Sequence, residues 1–488
     1  MAEPPVLSSL HSTTLALPPS CIECVPGCAE WVVMGTYFLD RSADEDEEKG
    51  DEDEEEQGKG EGEEKRAQKR SGSLVLARLE EGMREITITS THPTPFAIFD
   101  LHFSPHSTLT NTTPSSHLLG LASSTGSIAL YAIDPSSNSA PITHLRTLQL
   151  FPSTSLFTYF SWHPTIPLLA AAALADGRVV LCDCSSRGAT DNDEDDEGGA
   201  GNVGRTVTLH AHSLEAWVTS FSPDGTALYS GGDDAALKGV GLPTASSIFS
   251  PEDHEKEEET DHMHRIIAPL WQWQDARTHD AGVTFILPLP LPSPSPSPSL
   301  SSQPQPQTTN PNAPILPPST LLLTGSYDES LRLLLPPAPD GLGPRRSRVL
   351  AEIALGGGVW RVSVVDRSVV VVVVDDDDDE QTTATATISW ILLVSCMHAG
   401  ARVVKLTGRA TSAGEGEEGK KGEREWQWDW GFEVLARFEE HQSMNYGSVV
   451  QPLVDGEKRD KGTGKRTVVS TSFYDRLVCV WEFESWVG

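Results

Sequence analysis

Val468-Val-Ser-Thr-Ser-Phe-Tyr-Asp-Arg-Leu-Val-Cys-Val-Trp481 decides how the rest of the chain is read. Two short apolar segments, Val468–Ser472 and Asp475–Trp481, flank a tight turn carrying an aspartate. Short alternating apolar runs bounded by turn residues predict paired β-strands. The second segment has relatives throughout the chain: Ser73-Leu-Val-Leu-Ala-Arg-Leu79, Gly126-Ser-Ile-Ala-Leu-Tyr-Ala-Ile-Asp134, Asp176-Gly-Arg-Val-Val-Leu-Cys182, Asp234-Ala-Ala-Leu-Lys-Gly-Val240, Asp328-Glu-Ser-Leu-Arg-Leu-Leu334 and Gly400-Ala-Arg-Val-Val-Lys-Leu406. That makes seven occurrences. Six of them follow another apolar segment ending in small residues, as in Leu118–Ser123 and Leu321–Ser326.

A strand, a turn, a strand, an aspartate-bearing turn and a strand, repeated seven times, predict an all-β, seven-bladed WD-repeat β-propeller. The first two spacings, Ser73 to Ser127 to Gly177, are 54 and 50 residues, against the 40–45 typical of a blade. The wider spacings coincide with low-complexity tracts. Residues 31–488 therefore read as one propeller behind an N-terminal tail, 1–30. Disordered insertions are expected at 41–70, 186–204, 243–264, 287–318, 375–386 and 408–425. Trp31–Leu39 is expected either to close the ring or to supply strands of the first blade. Two sheet domains joined by 287–318 would be the other arrangement, but the repeat continues in register beyond that tract.

The net charge of −34 is concentrated in these tracts. Four of them, at 44–64, 191–197, 252–261 and 375–380, hold nearly half of the 70 acidic residues. No clustered basic patch marks a nucleic-acid-binding face. The apolar stretches Ser368–Val374 and Ile388–Val394 are too short to span a bilayer. Seven cysteines, an odd number, and the lack of an apolar N-terminal h-region point to a reducing, cytoplasmic setting. Cys21, Cys24 and Cys28 have no fourth ligand at a workable spacing, so no metal is expected there. Cys182 and Cys184 read as structural. No Gly-x-Ser-x-Gly elbow, His-Glu-x-x-His helix or Walker loop occurs, and no cofactor is expected.

His212, His279 and His441 each precede a blade's first strand, a position for structural histidines bonded to the turn aspartates Asp234 or Asp233, Asp328 and Asp475. His398 differs, because it stands where other blades carry the turn aspartate. An imidazole on the ring's rim suits general-base work. The same rim holds Asp233, Asp234, Tyr327, Asp328, Tyr474 and Asp475. Read as architecture, they shape turns. Read as a site, carboxylates and aromatics suit a cationic ligand.

Seven phrases in order then narrow the reading: Gly35-Thr-Tyr37, His212-Ser-Leu-Glu-Ala-Trp217, Tyr229-Ser-Gly-Gly-Asp-Asp234, Gly325-Ser-Tyr-Asp-Glu329, Gly357-Gly-Val-Trp-Arg361, Cys396-Met-His-Ala-Gly400 and Thr471-Ser-Phe-Tyr-Asp475. This ordered set resembles the WD-repeat diphthine methyl ester hydrolases of diphthamide biosynthesis, also catalogued as diphthine methyltransferase. The resemblance covers 31–40 and most of 96–482 outside the insertions. It implies removal of a methyl ester from a modified histidine of translation elongation factor 2, the protein substrate and partner, which carries a quaternary ammonium group. On that footing His398 is expected as general base, with Asp328 or Asp475 orienting it or binding the cation. Tyr327, Trp360 and Tyr474 would contact the ammonium together with Asp233, and Arg361 would hold a carboxylate or oxyanion. Gly239-Val-Gly-Leu242 and Leu333-Leu-Leu335 depart from the pattern where blade-ending Trp-Asp pairs are expected. The rival class is a non-enzymatic WD scaffold, such as a ubiquitin-ligase substrate receptor, since the fold hosts both roles.

Overall fold

The computed structural model describes residues 3–39, 70–80, 82, 84–106, 116–137, 141–185, 205–244, 268–290, 320–337, 346–374, 383–412, 426–452 and 464–485. Among these there is no helix, and the strands form seven sheets. Each sheet is a blade whose first strand lies innermost and pairs antiparallel with the next. Those first strands are Pro19–Cys24, Ile98–Phe103, Phe157–Trp162, Ala216–Phe221, Val283–Pro290, Arg361–Val374 and Gly447–Val450, in blades one to seven. Every innermost strand touches the next, and blade seven returns to blade one, so the ring is closed. Closure removes the open sheet edges that would otherwise pair with other chains. The seven segments found in the sequence are all third strands.

The expected tail is structured. His11–Thr14 pairs antiparallel with Leu477–Ser485, the third strand of blade seven, with His11 opposite Val480 and Thr14 opposite Leu477. Val6–Leu7 runs parallel to the outer strand of blade six, opposite Arg437 and Phe438. Pro19–Cys24 is the inner strand of blade one. Trp31–Thr36 is that blade's second strand, so the closing element is His11–Thr14. It escapes notice in the sequence because an outermost strand of four residues, His-Ser-Thr-Thr, is half exposed and carries no apolar alternation.

Several expected insertions are shorter than their assigned bounds. Leu287–Pro290 belongs to blade five, Thr383–Ala386 pairs with Val371–Val374 in blade six, and Gly408–Ser412 extends that blade's third strand. The remainder of those tracts lies outside the described residues, apart from Arg70 and residues 243–244 at their edges.

The blade turns repeat one device. Asp176, Asp234 and Asp328 each accept the backbone N–H two residues on, at 3.1, 3.1 and 3.0 Å. The residue after the aspartate takes positive φ: Gly177 at 89°, Ala235 at 57° and Glu329 at 67°. Local side-chain capture of the turn offsets the cost of that conformation for a residue with a Cβ.

Candidate functional site

Gly357 lets the site assemble. A Cβ there would stand 2.3 Å from the carbonyl oxygen of Cys396, so only glycine passes beneath the Cys396–Gly400 turn. Beyond it, Val359 N–H and Trp360 N–H donate to the carbonyls of Ser326 and Ser395, fixing the entrance to blade six. Trp360 is thereby laid across the rim. Gly282 has a similar role, since a Cβ there would meet Asp233 and Tyr327.

An unbroken run of aromatic rings follows the rim. It begins at Trp217 of blade four and passes to Tyr327 of blade five, with centroids 6.3 Å apart, then to Trp360 of blade six at 6.1 Å. It continues through Tyr446 at 5.0 Å, Phe473 at 5.5 Å, Tyr37 at 6.0 Å and Phe99 at 5.2 Å, reaching blade two. Trp217 also meets Trp360 edge-on at 5.8 Å. The rings of Trp217, Tyr327, Trp360 and Tyr446 are half-buried. Trp217 Nε1 donates to the exposed Asp233 carboxylate at 3.2 Å. Burial, helped by Tyr446 and Asp233, raises the Tyr327 phenol, and burial also raises Tyr446, so both stay protonated.

Arg361 lies beneath this arc. Its guanidinium sits 5.0 Å from the Trp360 ring and 4.7 Å from that of Tyr159 in blade three. It also forms an ion pair with Asp100 of blade two at 3.8 Å. Blade six and blades two and three lie across the ring from one another, so this side chain spans the central channel. Deeper along blade two's inner strand, His102 Nε2 lies 3.0 Å from Asp100 and Nδ1 lies 3.6 Å from Glu23. Enclosure works against charge on His102, but Asp100 outweighs it, with Tyr159 and Glu23 adding to the effect, and the imidazole is held well above its ordinary value.

The sequence-derived residues divide. Tyr327, Trp360, Arg361 and Asp233 come together at the channel mouth. Tyr474 is 68% exposed and touches the arc only through Phe473, at 5.1 Å, so Phe473 takes the place expected for it. Asp328 accepts from Asp280 N–H, Ser330 N–H and Arg332, and Asp475 accepts from Gln442 N–H and Ser443 Oγ. Both carboxylates are thus engaged in their own blades, and neither bonds His398. Burial works against charge on Asp328, but the His279 imidazole, the Asp280 N–H and Arg332 outweigh it and hold its carboxyl well below the usual carboxylate range. His398 is exposed in the Cys396–Gly400 turn. That turn is tied to the arc, because Asn445 N–H donates to Met397 O at 3.0 Å and Asn445 adjoins Tyr446.

Of the three structural histidines, His212 bonds Asp234 directly at 2.8 Å. His279 meets its aspartate through Arg332, which donates to both at 3.0 and 2.7 Å. His441 bonds Ser470 at 2.8 Å rather than Asp475, and Trp481 donates to the same hydroxyl at 2.9 Å. Among the described residues no group of three or more His, Cys, Asp or Glu is arranged to hold a metal. Burial, with Glu23, pushes the Cys24 thiol up to about 12, and burial does the same for Cys184 and Cys396, so these sulfurs stay protonated.

Sequence reasoning gave no site role to Glu23, Asp100, His102, Tyr159, Trp217, Tyr446 or Phe473. The Asp100-Leu-His102 pair carried a signal: at i, i+2 on an inner strand both side chains face the same side.

The WD domain, G-beta repeat model matches residues 204–238, within blades three and four. A protein named diphthine methyltransferase from Schizosaccharomyces pombe (strain 972 / ATCC 24843) is 23% identical over 452 residues, covering 92% of this chain and 90% of that protein. Among solved structures, Sqt1 from Chaetomium thermophilum matches at 12% identity and a TM-score of 0.47, covering 98% of each chain. Saccharomyces cerevisiae Sqt1 matches at 10% identity with the same TM-score, covering 98% of this chain and 100% of that one.

Proposed function

Taking the chain as a seven-bladed WD-repeat propeller that resembles the WD proteins of diphthamide biosynthesis, we propose that it is a diphthine methyl ester hydrolase acting on elongation factor 2. The observation that carries this reading is the aromatic arc with Asp233 at one end and Arg361 beneath it. A quaternary ammonium has no N–H to donate, so it is recognised by ring faces and a nearby carboxylate. Trp360, Tyr327, Trp217 and Tyr446 supply the faces, and Asp233 supplies the charge. The similarity to the fission-yeast protein over nearly its whole length supports the same substrate class.

In this reading the modified histidine enters the channel mouth with its ammonium against the arc. The ester carbonyl then points toward Arg361, whose charge stabilises the oxyanion that develops. His398 takes a proton from water, the resulting hydroxide attacks the carbonyl carbon, and the acyl–oxygen bond breaks. The methoxide leaves as methanol after taking a proton, and the carboxylate remains on the protein. The exposed turn bearing His398 is bonded to Asn445, the residue before Tyr446, which supports a base near the arc.

Purified protein incubated with elongation factor 2 carrying the methylated intermediate should remove one methyl per factor, read by mass. His398→Ala should slow turnover on the order of a hundredfold or more while leaving thermal unfolding unchanged. A folded wild-type protein that leaves the ester intact rejects the hydrolase and favours a scaffold. A full-rate His398→Ala variant rejects the assigned base.

A further inference from the structure

Arg361 is an underused cation. Among the described residues its guanidinium, with five N–H donors, makes one hydrogen bond, from Nη1 to Trp360 O at 2.9 Å. Its nearest carboxylate oxygen, on Asp100, lies 3.8 Å away, beyond hydrogen-bond reach. The other oxygen of Asp100 is 3.0 Å from His102 Nε2, so the imidazole is its closer partner. Glu23 grips the far side: it accepts Phe103 N–H at 2.9 Å and lies 3.6 Å from His102 Nδ1. The imidazole is wedged against Tyr159 and Phe160, at 5.4 and 5.3 Å. Asp100 itself is only 2% exposed.

We propose that Glu23, His102 and Asp100 are positioning residues that keep Arg361 free to receive a carboxylate beneath the aromatic arc. The mouth then takes betaines: ligands with a quaternary ammonium and a carboxylate a few bonds apart. This deepens, and rests on, the reading of the arc as an ammonium site.

Charge accounting explains the arrangement. With His102 protonated, two carboxylates face two cations, and Asp100 is neutralised chiefly by the imidazolium. Arg361 can then bind an incoming anion without losing a tight partner. With His102 neutral, Asp100 is left as the counterion of Arg361 and competes with the ligand. The charged or titratable groups around His102 are Asp100 on its own strand, Glu23 from blade one and Tyr159 from blade three. Arg361 from blade six and Cys21 from blade one reach the cluster through Asp100. Anion affinity is therefore highest where His102 is protonated and the ligand's carboxylate ionised, and it falls as pH rises through the raised His102 value.

The test titrates full-length protein with glycine betaine and, separately, choline, following tryptophan fluorescence. Choline shares the ammonium but lacks the carboxylate. The betaine-to-choline affinity ratio should fall about tenfold in Arg361→Gln, as expected for losing one charge-assisted contact. Arg361→Lys should restore part of it. His102→Gln should lower the ratio and flatten its pH dependence, with each variant's thermal midpoint checked for folding. An unchanged ratio in folded Arg361→Gln, or a ratio indifferent to both pH and His102→Gln, overturns the proposal. Ester hydrolysis with an unchanged ratio rejects this inference alone. A shifted ratio in a protein that leaves the diphthine ester intact rejects the hydrolase and keeps the receptor. No saturable response to either probe contradicts both the receptor and the ammonium pocket.

Discussion

Trp360 touches Trp217, Tyr327 and Tyr446 and stacks near Arg361, which makes it the hub of the rim. A ring face over a desolvated cation contributes up to about 2 kcal/mol. Trp360→Leu keeps an apolar side chain but removes that face, so KM for the modified factor should rise roughly tenfold or more. The half-buried position limits the accompanying change in thermal midpoint. A KM unchanged in a folded Trp360→Leu variant would remove the arc from substrate binding. Asp233 and Tyr327 were legible in the sequence because blade grammar puts them on a rim turn, whereas Trp360 and Arg361 were singled out only by the family resemblance. For Asp328 and Asp475 the sequence left an architectural and a catalytic reading open, and only the structure shows their oxygens engaged by backbone and side-chain donors.

Within a blade, buried histidines tie the loop before the first strand to the strands behind it. His441, Ser470 and Trp481 form such a chain in blade seven, with Trp481 stacked on Phe438 at 4.9 Å. Burial drives His441 down to about 4 and His210 down to about 3, and it also lowers His212. Their folded values lie below the unfolded value near 6.5, so the unfolded chain binds the proton more readily. The stability tied to their neutral forms is complete above pH 6.5 and drains away as pH falls toward 4. For His441 this amounts to at most about 3 kcal/mol. His102 has the opposite sign. Its contribution is complete below 6.5 and is lost only as pH rises through its raised folded value, so it does not offset the acid loss. Urea unfolding between pH 7 and 4.5 should show stability falling toward acid, with a shallower slope in His441→Gln. Equal slopes in the two proteins would contradict the assignment. The missing blade-ending tryptophan of blade four also finds its explanation at this scale. Trp273 and Trp271 lie so close to Gly239 and Gly241 that a Cβ on either glycine would fall 2.5 and 2.3 Å from the indoles. Rings from the outer edge of the blade cover the strand that lacks one, which a pattern read along the third strand alone does not reveal.

Seven third strands announced the ring in the sequence, because each is buried on both faces and bounded by turn residues. The closing strand His11–Thr14 did not, since pairing to Leu477–Val480 joins the two ends of the chain and leaves no local signature. The channel cluster is hidden for the same reason: Glu23, Asp100, His102, Tyr159 and Arg361 come from four blades and meet only when the ring closes. Closure also brings the aromatic arc and Arg361 together, with the Cys396–Gly400 turn bonded to the residue before Tyr446. Ester hydrolysis at this mouth is the activity proposed for the protein. It is tested most directly by running the reaction on methylated-diphthine elongation factor 2 in heavy-oxygen water and locating the label by mass spectrometry. The account predicts loss of the ester methyl as methanol and one heavy oxygen in the diphthine carboxylate. An intact ester, or methyl loss that leaves the carboxylate unlabelled, would contradict it.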